Sequence, residues 1–521
     1  MNNTTDNFSL THWLAGIFCC VILFSSCNED WNKYYVTNQS GLQKENLYDL
    51  IRKDDALSKF KQLVEISGYS EILSASQTFT VWAPENGALG SIDLTDTALV
   101  RQTVANHISR FNYSTSTPAG QLVRMISGKV YCFSDDSGIS FGGCRLITND
   151  KQAKNGILHT INQAIVYTEN IYEYINNQPN TSELFRFVKA WEMERITGEG
   201  DDQVRSFYNP LFLDKIYGLG NLFSEDSIFT MLVPTNAAWN AAYDRISTYF
   251  NVYNKNQDVA DSIKKVQTSL AILSDLIYRG KITEPGQYSS IVSTSGSIIN
   301  NVENLFQGAT LIPVSNGIVY LTDEIRYNNT ETWNKAIPVE CENQLGRTTG
   351  ENTIIYTRVV DENSIIKDVS NKRYIEVQPK NTTAQPSVTF DIPDVLSGKY
   401  DIYAEFIPAI IEGENHQNDS TKLNFTLRYL ATDGSLQTAT SNNHLTSGRE
   451  KSRIKIFEAF AFPVSDYYDR LWLMDKNNYI QNIVASTKLE IKTNVSVIEF
   501  NTNRFTRKFR VDRIVFEPVP N

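Results

Sequence analysis

The side chains from which a catalytic or metal site could be built are few in this chain and widely spaced. Of five histidines, His107 and His159 lie in apolar runs, while His416 and His444 lie in polar segments without a cysteine at ligand spacing. Glycoside hydrolysis needs two carboxylates that face each other across a cleft, whereas the adjacent acidic pairs here are typical of solvated turns. The sequence also contains none of the nucleophile-elbow, phosphate-loop, zinc-protease or dinucleotide motifs. We therefore predict core roles for His107 and His159, no metal, no cofactor and no enzymatic activity.

An uninterrupted apolar run near the N-terminus predicts export. Trp13 to Phe24 is too short to span a bilayer as a helix, but it fits the apolar region of a secretory signal. Ser25, Ser26 and Cys27 follow, and small residues directly before a cysteine resemble the site cut by lipoprotein signal peptidase. The resemblance implies that residues 1–26 are a signal peptide and that Cys27 becomes the acylated N-terminus. The alternative, a buried N-terminal helix, would require its polar flanks to be packed away.

The residues after the expected lipidation site are acidic and then polar. Asn28, Glu29 and Asp30 resemble the surface-export signal of lipoproteins from Gram-negative bacteria of the Bacteroides type. This resemblance implies a protein anchored in the outer membrane by its N-terminal lipid, palmitate included, and facing the exterior. Two or more acyl chains on one residue give stable anchoring. Residues 27–43 are then a short tether.

Three cysteines lie beyond the predicted tether. Cys132 and Cys144 flank a predicted strand pair, where they are compatible with a disulfide in an oxidising compartment or with two buried, apolar thiols. Cys341 is expected to pack inside a strand.

Two segments of the chain repeat the same order of predicted elements. In residues 44–170, apolar residues at helical spacing precede the β-rich run Thr78–Asn86, then a helix that ends near His107, then the strand Asn155–Ile161. In residues 171–327, the same order recurs.

The recurring motifs resemble those of the fasciclin (FAS1) domain. In the first segment they read TFTVWAPEN and NGILHTI, and His107 matches the histidine of the family's Tyr-His motif. In the second segment, Ile228–Trp239 and Asn316–Tyr320 match the two boxes, with Tyr320 in place of histidine. The resemblance implies two tandem α+β fasciclin-like domains, a fold that acts in adhesion elsewhere.

Residues 328–521 differ from the two repeats because helical periodicity fades and short β-rich runs dominate. The predicted strands are Tyr374–Val377, Val388–Ile392, Tyr400–Phe406, Leu423–Tyr429, Arg453–Phe462, Lys488–Lys492, Val495–Phe500 and Arg510–Phe516. Strands at such spacing predict an all-β jelly roll or a similar sandwich. Its opening, middle and closing runs resemble the galactose-binding-like sandwich of carbohydrate-binding modules.

An aromatic segment between two of these predicted strands is the candidate ligand-binding surface. Tyr467, Tyr468 and Trp472, followed by Tyr479, are interspersed with aspartate, arginine and asparagine. Aromatic faces stack on sugar rings, and polar neighbours bond their hydroxyl groups. The alternative is a loop folded back over the sandwich.

The charge of the chain argues against nucleic acid as a partner. The net charge is −11 and no local cluster of Lys and Arg stands out, so the sequence predicts no nucleic-acid binding. We expect a surface lipoprotein that binds glycan without turnover, as an accessory of a TonB-dependent importer and its lipoprotein lid. The alternative is an adhesion or scaffold protein that binds another protein through its fasciclin-like domains.

Overall fold

The computed structural model describes residues 44–90, 92–135, 138–197, 204–213, 218–466 and 485–520. The chain divides after Thr168 into two compact units. The first unit holds one α+β domain, called the first domain below. The second unit holds another α+β domain and an all-β domain, called the second and third domains. Among the described residues, no helix is both long and apolar enough to cross a membrane.

The first domain combines four helices with one sheet. Its helices are α1 Leu47–Arg52, α2 Ser58–Ile66, α3 Tyr69–Ser74 and α4 Thr97–Ala105, and its strands are β1 Phe79–Pro84, β2 Ile108–Arg110, β3 Leu122–Arg124, β4 Val130–Ser134, β5 Ser140–Phe141, β6 Cys144–Ala153 and β7 Gly156–Ile161. Helix α1 begins where Asn46 and Asp49 form a capping box, in which each side chain accepts from the other's backbone N–H. Leu47, Leu50 and Ile51 then face the core at helical spacing.

The sheet of the first domain closes on itself. Its strand order is β2-β1-β7-β6-β5-β4-β3, and a β-bridge between Ser109 and Met125 joins the two ends. Strand β1 is buried along its whole length and pairs parallel with β7. Inside the closed sheet, Trp82 stacks on Phe141 with 3.9 Å between ring centroids.

The second domain repeats this plan with added elements. Its helices are α5 Ile171–Asn177, α6 Ser182–Lys189, α7 Pro210–Leu213, α8 Asn236–Ile246, α9 Gln257–Leu273 and α10 Val302–Phe306, and its strands are β8 Met193–Thr197, β9 Val204–Tyr208, β10 Phe229–Pro234, β11 Ile277–Arg279, β12 Ile291–Val292, β13 Ile298–Ile299, β14 Thr310–Val314 and β15 Gly317–Thr322. The principal sheet has the order β11-β10-β15-β14, while β8 with β9 and β12 with β13 form two separate hairpins.

The two α+β domains share strand register as well as element order. Phe79 pairs with Gly156 in the first domain, and Phe229 pairs with Gly317 in the second, each in a parallel ladder. Both glycines have φ near +150°, and a Cβ on either would lie 1.8 Å from the carbonyl oxygen of its phenylalanine partner. Glycine is therefore required at both places by the same close backbone approach.

The asparagine before each of these glycines performs the same bonding role in both domains. The Asn155 side chain accepts from the backbone N–H of Leu47 and donates to two carbonyls of the segment that precedes β1. Asn316 likewise accepts from Ile171 N and donates to two carbonyls before β10. Each asparagine thus ties the first helix of its domain to the central strand pair, which confirms the predicted internal repeat.

The third domain consists of two antiparallel sheets and one short helix. Its strands are β16 Ile337–Glu340, β17 Arg347–Thr349, β18 Thr353–Val359, β19 Arg373–Pro379, β20 Ser387–Asp391, β21 Lys399–Phe406, β22 Lys422–Leu430, β23 Leu436–Leu445, β24 Ser452–Ala461, β25 Lys488–Thr493 and β26 Phe509–Pro518, and its helix is α11 Val497–Asn501. One sheet has the order β18-β19-β26-β21-β24 with β16 also paired to β26, and the other has the order β17-β20-β25-β22-β23. Alternate residues such as Leu423, Phe425 and Leu427 are buried, as a sandwich core requires.

Two predictions for the third domain were wrong in detail. The run Val495–Phe500 is not a strand, because Ser496 and Glu499 form a capping box that starts helix α11. Cys341 is fully buried as expected, but it lies in the turn directly after β16. The strands β16, β17, β18 and β23 were not among the predicted ones. Cys132 and Cys144 are free thiols, and Cys144 is buried.

Candidate functional site

The sequence-predicted site residues fall outside the part of the chain that the structure describes. These are the ligand-binding residues Tyr467, Tyr468, Trp472 and Tyr479 and the lipidated Cys27. The two ends of the aromatic segment are described. Ser465 N donates to Asn251 O at 2.7 Å, and Asp466 N donates to Val395 O at 2.6 Å. The Asp466 carboxylate accepts from Thr487 N at 2.6 Å, so this one residue holds both ends of the segment together.

These ends lie where the second domain meets the third. Ser397 N donates to Tyr249 O at 2.9 Å, and its hydroxyl both donates to Thr248 O and accepts from Asn251 N. Gly398 approaches the Tyr249 ring closely enough that a Cβ would lie 3.2 Å from it. The contact between the second and third domains is therefore built from specific backbone bonds as well as packing.

A cavity of about 510 Å³ lies at this junction and is lined by both domains. Phe250 and Trp333 supply aromatic walls, and their rings contact each other with 6.1 Å between centroids. Asp275, Ser295, Ser297 and Lys335 line it from the second domain and the linker, and Pro393 and Asp394 line it from the third. Cavities of this size hold small ligands, and a few convergent polar groups fix their orientation. We call it the junction cavity.

Asp275 is the most buried charged group of the junction cavity, with 2 % of its surface exposed. Its Oδ1 accepts from the hydroxyls of Ser293 at 2.7 Å and Ser295 at 2.5 Å. No hydrogen bond to its Oδ2 comes from the described residues. This oxygen can therefore accept a hydrogen bond from a hydroxyl group of a ligand in the cavity.

The equivalent residue of the first domain has a different set of hydrogen-bond partners. Asn106 occupies the equivalent place, because Trp82 N bonds the carbonyl after Asn106 just as Leu232 N bonds the carbonyl after Asp275. Asn106 Oδ1 accepts from the Ser127 hydroxyl, as Asp275 Oδ1 does from Ser295, but its Nδ2 donates to Ile165 O. The second domain thus has a carboxylate, with one oxygen bonded by no described residue, where the first domain has an amide whose oxygen and nitrogen are both bonded. Sequence reasoning missed this residue, although aligning the two repeats would have shown the change.

The remaining polar groups complete a site suited to a hydroxylated ligand. The Lys335 ammonium donates to the Ser297 hydroxyl at 2.7 Å, and Ser297 itself is buried. The cavity therefore offers an acceptor carboxylate, an ammonium donor, hydroxyl groups that serve as either, and an indole wall. Among the described residues, no group of three or more metal-ligating side chains comes together.

The two predicted core histidines are structural in the first domain. His107 is fully buried, its Nδ1 lies 2.7 Å from Thr103 O, and its Nε2 accepts from Ile165 N at 2.9 Å. Since Nε2 accepts, the proton of the neutral ring is on Nδ1, and burial lowers the pKa of His107 to about 4. His159 is bonded through Nε2 to Tyr113 O at 2.9 Å, and burial lowers its pKa as well. Both predictions of a core role are confirmed.

A cluster of charged side chains on the third domain is also structural. Asp512 is fully buried, accepts from the backbone N–H of Ser370 and lies 3.2 Å from the Lys451 ammonium. Burial raises the pKa of Asp512 to about 6, while the hydrogen bond and the ammonium oppose that shift. The cluster holds the loop before β19 and the segment before β24 onto the outer face of a sheet.

Comparison with known proteins bears on the fold. Residues 55–167 match the family model described as the fasciclin domain, and no curated protein sequence matches the chain. Among solved structures, the chain is similar to a FAS1 domain pair from the insect cell adhesion molecule fasciclin I, with 17% identity, 53% of this chain and 98% of that chain covered and a TM-score of 0.21.

Two further similarities concern carbohydrate-binding modules of family 22. For the C-terminal module of Clostridium thermocellum Xyn10B the identity is 11%, the coverage 34% of this chain and 91% of that chain, and the TM-score 0.21. For the tandem modules of Paenibacillus barcinonensis Xyn10C the identity is 11%, the coverage 36% of this chain and 45% of that chain, and the TM-score 0.22. Residues 55–167 are therefore similar to the fasciclin domain, the second domain repeats the strand registers of the first, and the third domain is an all-β sandwich.

Proposed function

We propose that this protein binds a glycan without turning it over, at the junction between its second fasciclin-like domain and its sandwich. The observation that carries the proposal is the buried Asp275 carboxylate, which lines the junction cavity with one oxygen unbonded by any described residue. Charge-assisted hydrogen bonds to sugar hydroxyls are the strong contacts in such a site, and the Trp333 ring supplies an apolar wall.

The aromatic segment 467–484 belongs to the same proposal. Its two ends are held at the junction by Asp466. We propose that Tyr467, Tyr468, Trp472 and Tyr479, which lie outside the described residues, contribute stacking surface for the same glycan.

The cellular part of the proposal rests on the N-terminal sequence. We propose that acylation of Cys27 anchors the protein in the outer membrane, facing outward, where it holds glycan for a TonB-dependent importer and its lipoprotein lid. A binding role without catalysis is consistent with the sequence, which contains no recognised catalytic motif.

The decisive experiment measures glycan binding by the chain from residue 28 onward. A panel of neutral plant and microbial polysaccharides is screened by affinity electrophoresis, and the strongest ligand is titrated by calorimetry. The Asp275→Asn variant retains the acceptor for Ser295, and asparagine is the natural residue at this position of the first domain. We expect it to weaken binding about tenfold or more, because a hydrogen bond to a charged group contributes about 1.5–3 kcal/mol.

The matched control is Asp261→Asn, which makes the same change on helix α9 outside the junction cavity and should leave affinity unchanged. Absence of binding to every glycan would refute the proposed function. Binding that Asp275→Asn leaves intact would show that the junction cavity is not the site. Replacing Trp472 by Ala then tests the aromatic segment separately.

An adhesive function is the second candidate, and one observation favours it. The first domain, which matches the fasciclin family model, exposes Phe111, Leu122 and Val166 by 69%, 66% and 74%. Large exposed apolar side chains are typical of protein interfaces when they are contiguous. Recovery of a stoichiometric membrane partner that the triple Phe111→Ser, Leu122→Ser, Val166→Ser variant no longer binds, while Trp472→Ala still does, would favour this function.

A further inference from the structure

A second cavity of about 610 Å³ lies among helices α6, α8 and α9 of the second domain. It shares no lining residue with the junction cavity. We call it the helical cleft. Its size is sufficient for a molecule of roughly 15 to 25 non-hydrogen atoms, within the range of ordinary small-molecule sites.

The lining of the helical cleft includes aromatic side chains and small residues. Phe187 lies between Trp191 and Trp239, with ring centroids 6.4 Å and 6.1 Å away. Ala190 and Ser269 leave the space that larger side chains would otherwise fill. Packed protein interiors contain few voids of this size, so a cleft lined by two tryptophans is a place where an apolar body gains contact area.

The acidic groups of the helical cleft already have cationic partners. Glu183 forms an ion pair with Arg186 at 2.7 Å. Glu192 pairs with Lys189 at 2.5 Å and accepts from the Tyr172 hydroxyl. A ligand with a positive charge would therefore find no available carboxylate among these two.

One cation of the helical cleft has no partner among the described residues. Lys265 lines the cleft on α9 and forms no ion pair or hydrogen bond there, while Asp261 one turn earlier accepts from Gln257 instead. Ser269 lies one turn further along α9, and only 2% of its surface is exposed. Its hydroxyl forms no hydrogen bond with the described residues. An ammonium and a hydroxyl on the same helix face form a pair of donors at spacing i and i+4.

We propose that the helical cleft binds a small amphiphilic anion, with an aryl or acyl body between the aromatic walls and its acidic group at Lys265. This activity is independent of glycan binding at the junction cavity. The aromatic walls contribute most of the binding energy, and Lys265 selects for negative charge.

The test uses two fluorescent probes that share one aromatic body and differ by a sulfonate group, with the chain from residue 28 onward. The anion is 1-anilinonaphthalene-8-sulfonate, and its neutral parent is N-phenyl-1-naphthylamine. We expect saturable binding of the anion at one site per chain. Lys265→Gln should weaken the anion five- to tenfold and change the affinity for the neutral parent less than twofold. Asn240→Trp, made at an exposed residue of the cleft, should fill it and weaken both probes at least tenfold.

Lys281→Gln is the matched control, because it removes the same charge from the same domain outside the cleft and should alter neither affinity. Circular dichroism and thermal unfolding confirm that each variant is folded, and both test positions are exposed, so folding should be retained. The proposal is overturned if the anion shows no saturable site, if Asn240→Trp leaves its affinity unchanged, or if Lys265→Gln weakens the two probes equally.

Discussion

Acid should destabilise the first domain, and the buried imidazole of His107 should account for a measurable part of the loss. His107 is fully buried and neutral, with a pKa of about 4 in the folded chain against an ordinary value of 6.5. Because the folded-state pKa is lowered, the unfolded chain binds a proton first as pH falls. The stability contributed by the neutral ring is therefore complete above about pH 7, is lost as pH falls through 6.5, and reaches its full loss below about pH 4. The expected loss is about 2 kcal/mol at pH 5 and about 3 kcal/mol below pH 4.

The comparison variant is His107→Leu, since leucine occupies this position in the second domain at Leu276. Leucine cannot titrate, but it leaves the buried Ile165 N–H without an acceptor, which costs about 1–3 kcal/mol at every pH, while Thr103 O still accepts from Asn106 N. At pH 8 the variant should thus be less stable than the natural chain, and by pH 5 that gap should shrink by about 2 kcal/mol or reverse.

The assay is hydrogen exchange in increasing urea, read by mass spectrometry on peptides from β1 and β7 and corrected for the intrinsic rate at each pH. These strands lie at the centre of the first domain and report its opening free energy. Peptides from β10 and β15 serve as the internal control, since the second domain has leucine at the equivalent place. A stability difference between the natural chain and the variant that stays constant from pH 8 to pH 5 would refute the argument.

Three further changes test other parts of the structure. Gly156→Ala should lower the stability of the first unit by at least about 2 kcal/mol and Gly317→Ala that of the second, because each added Cβ meets a carbonyl oxygen at 1.8 Å; calorimetry would assign each loss to one transition. Carbon-13 spectra of labelled aspartate should show Asp512 titrating near pH 6, and Lys451→Met should raise that pKa further, since the ammonium favours the carboxylate; a lower value would contradict the cited cause. Gly434→Ala places a methyl group 2.1 Å from a tyrosine ring of the second domain, so it should separate the second unit's unfolding into two transitions and weaken glycan binding. A single unchanged transition would show that this contact does not couple the domains.

Much of the fold could be predicted because the signals were local. The alternation of Leu423, Phe425 and Leu427 predicts a strand with one buried face, and Asn155 before Gly156 predicts a turn into a strand; the structure confirms both. The prediction of a strand at Val495–Phe500 was wrong, although the sequence contains a local signal for a helix start. Ser496 and Glu499 have capping-box spacing, and that signal competes with the β-branched composition of the run.

By itself, the sequence determined the element order, the repeat, the all-β character of the last domain and the core roles of His107 and His159. These follow from periodicity and from residues that only one backbone geometry accommodates. Tertiary structure alone decided that Asp275 lines a cavity with Trp333 and Asp394, and that Lys265 lines a cleft with two tryptophans and has no partner in the part of the chain that the structure describes. Such sites are built from residues distant in the chain, and their burial and charge balance exist only after the domains have packed.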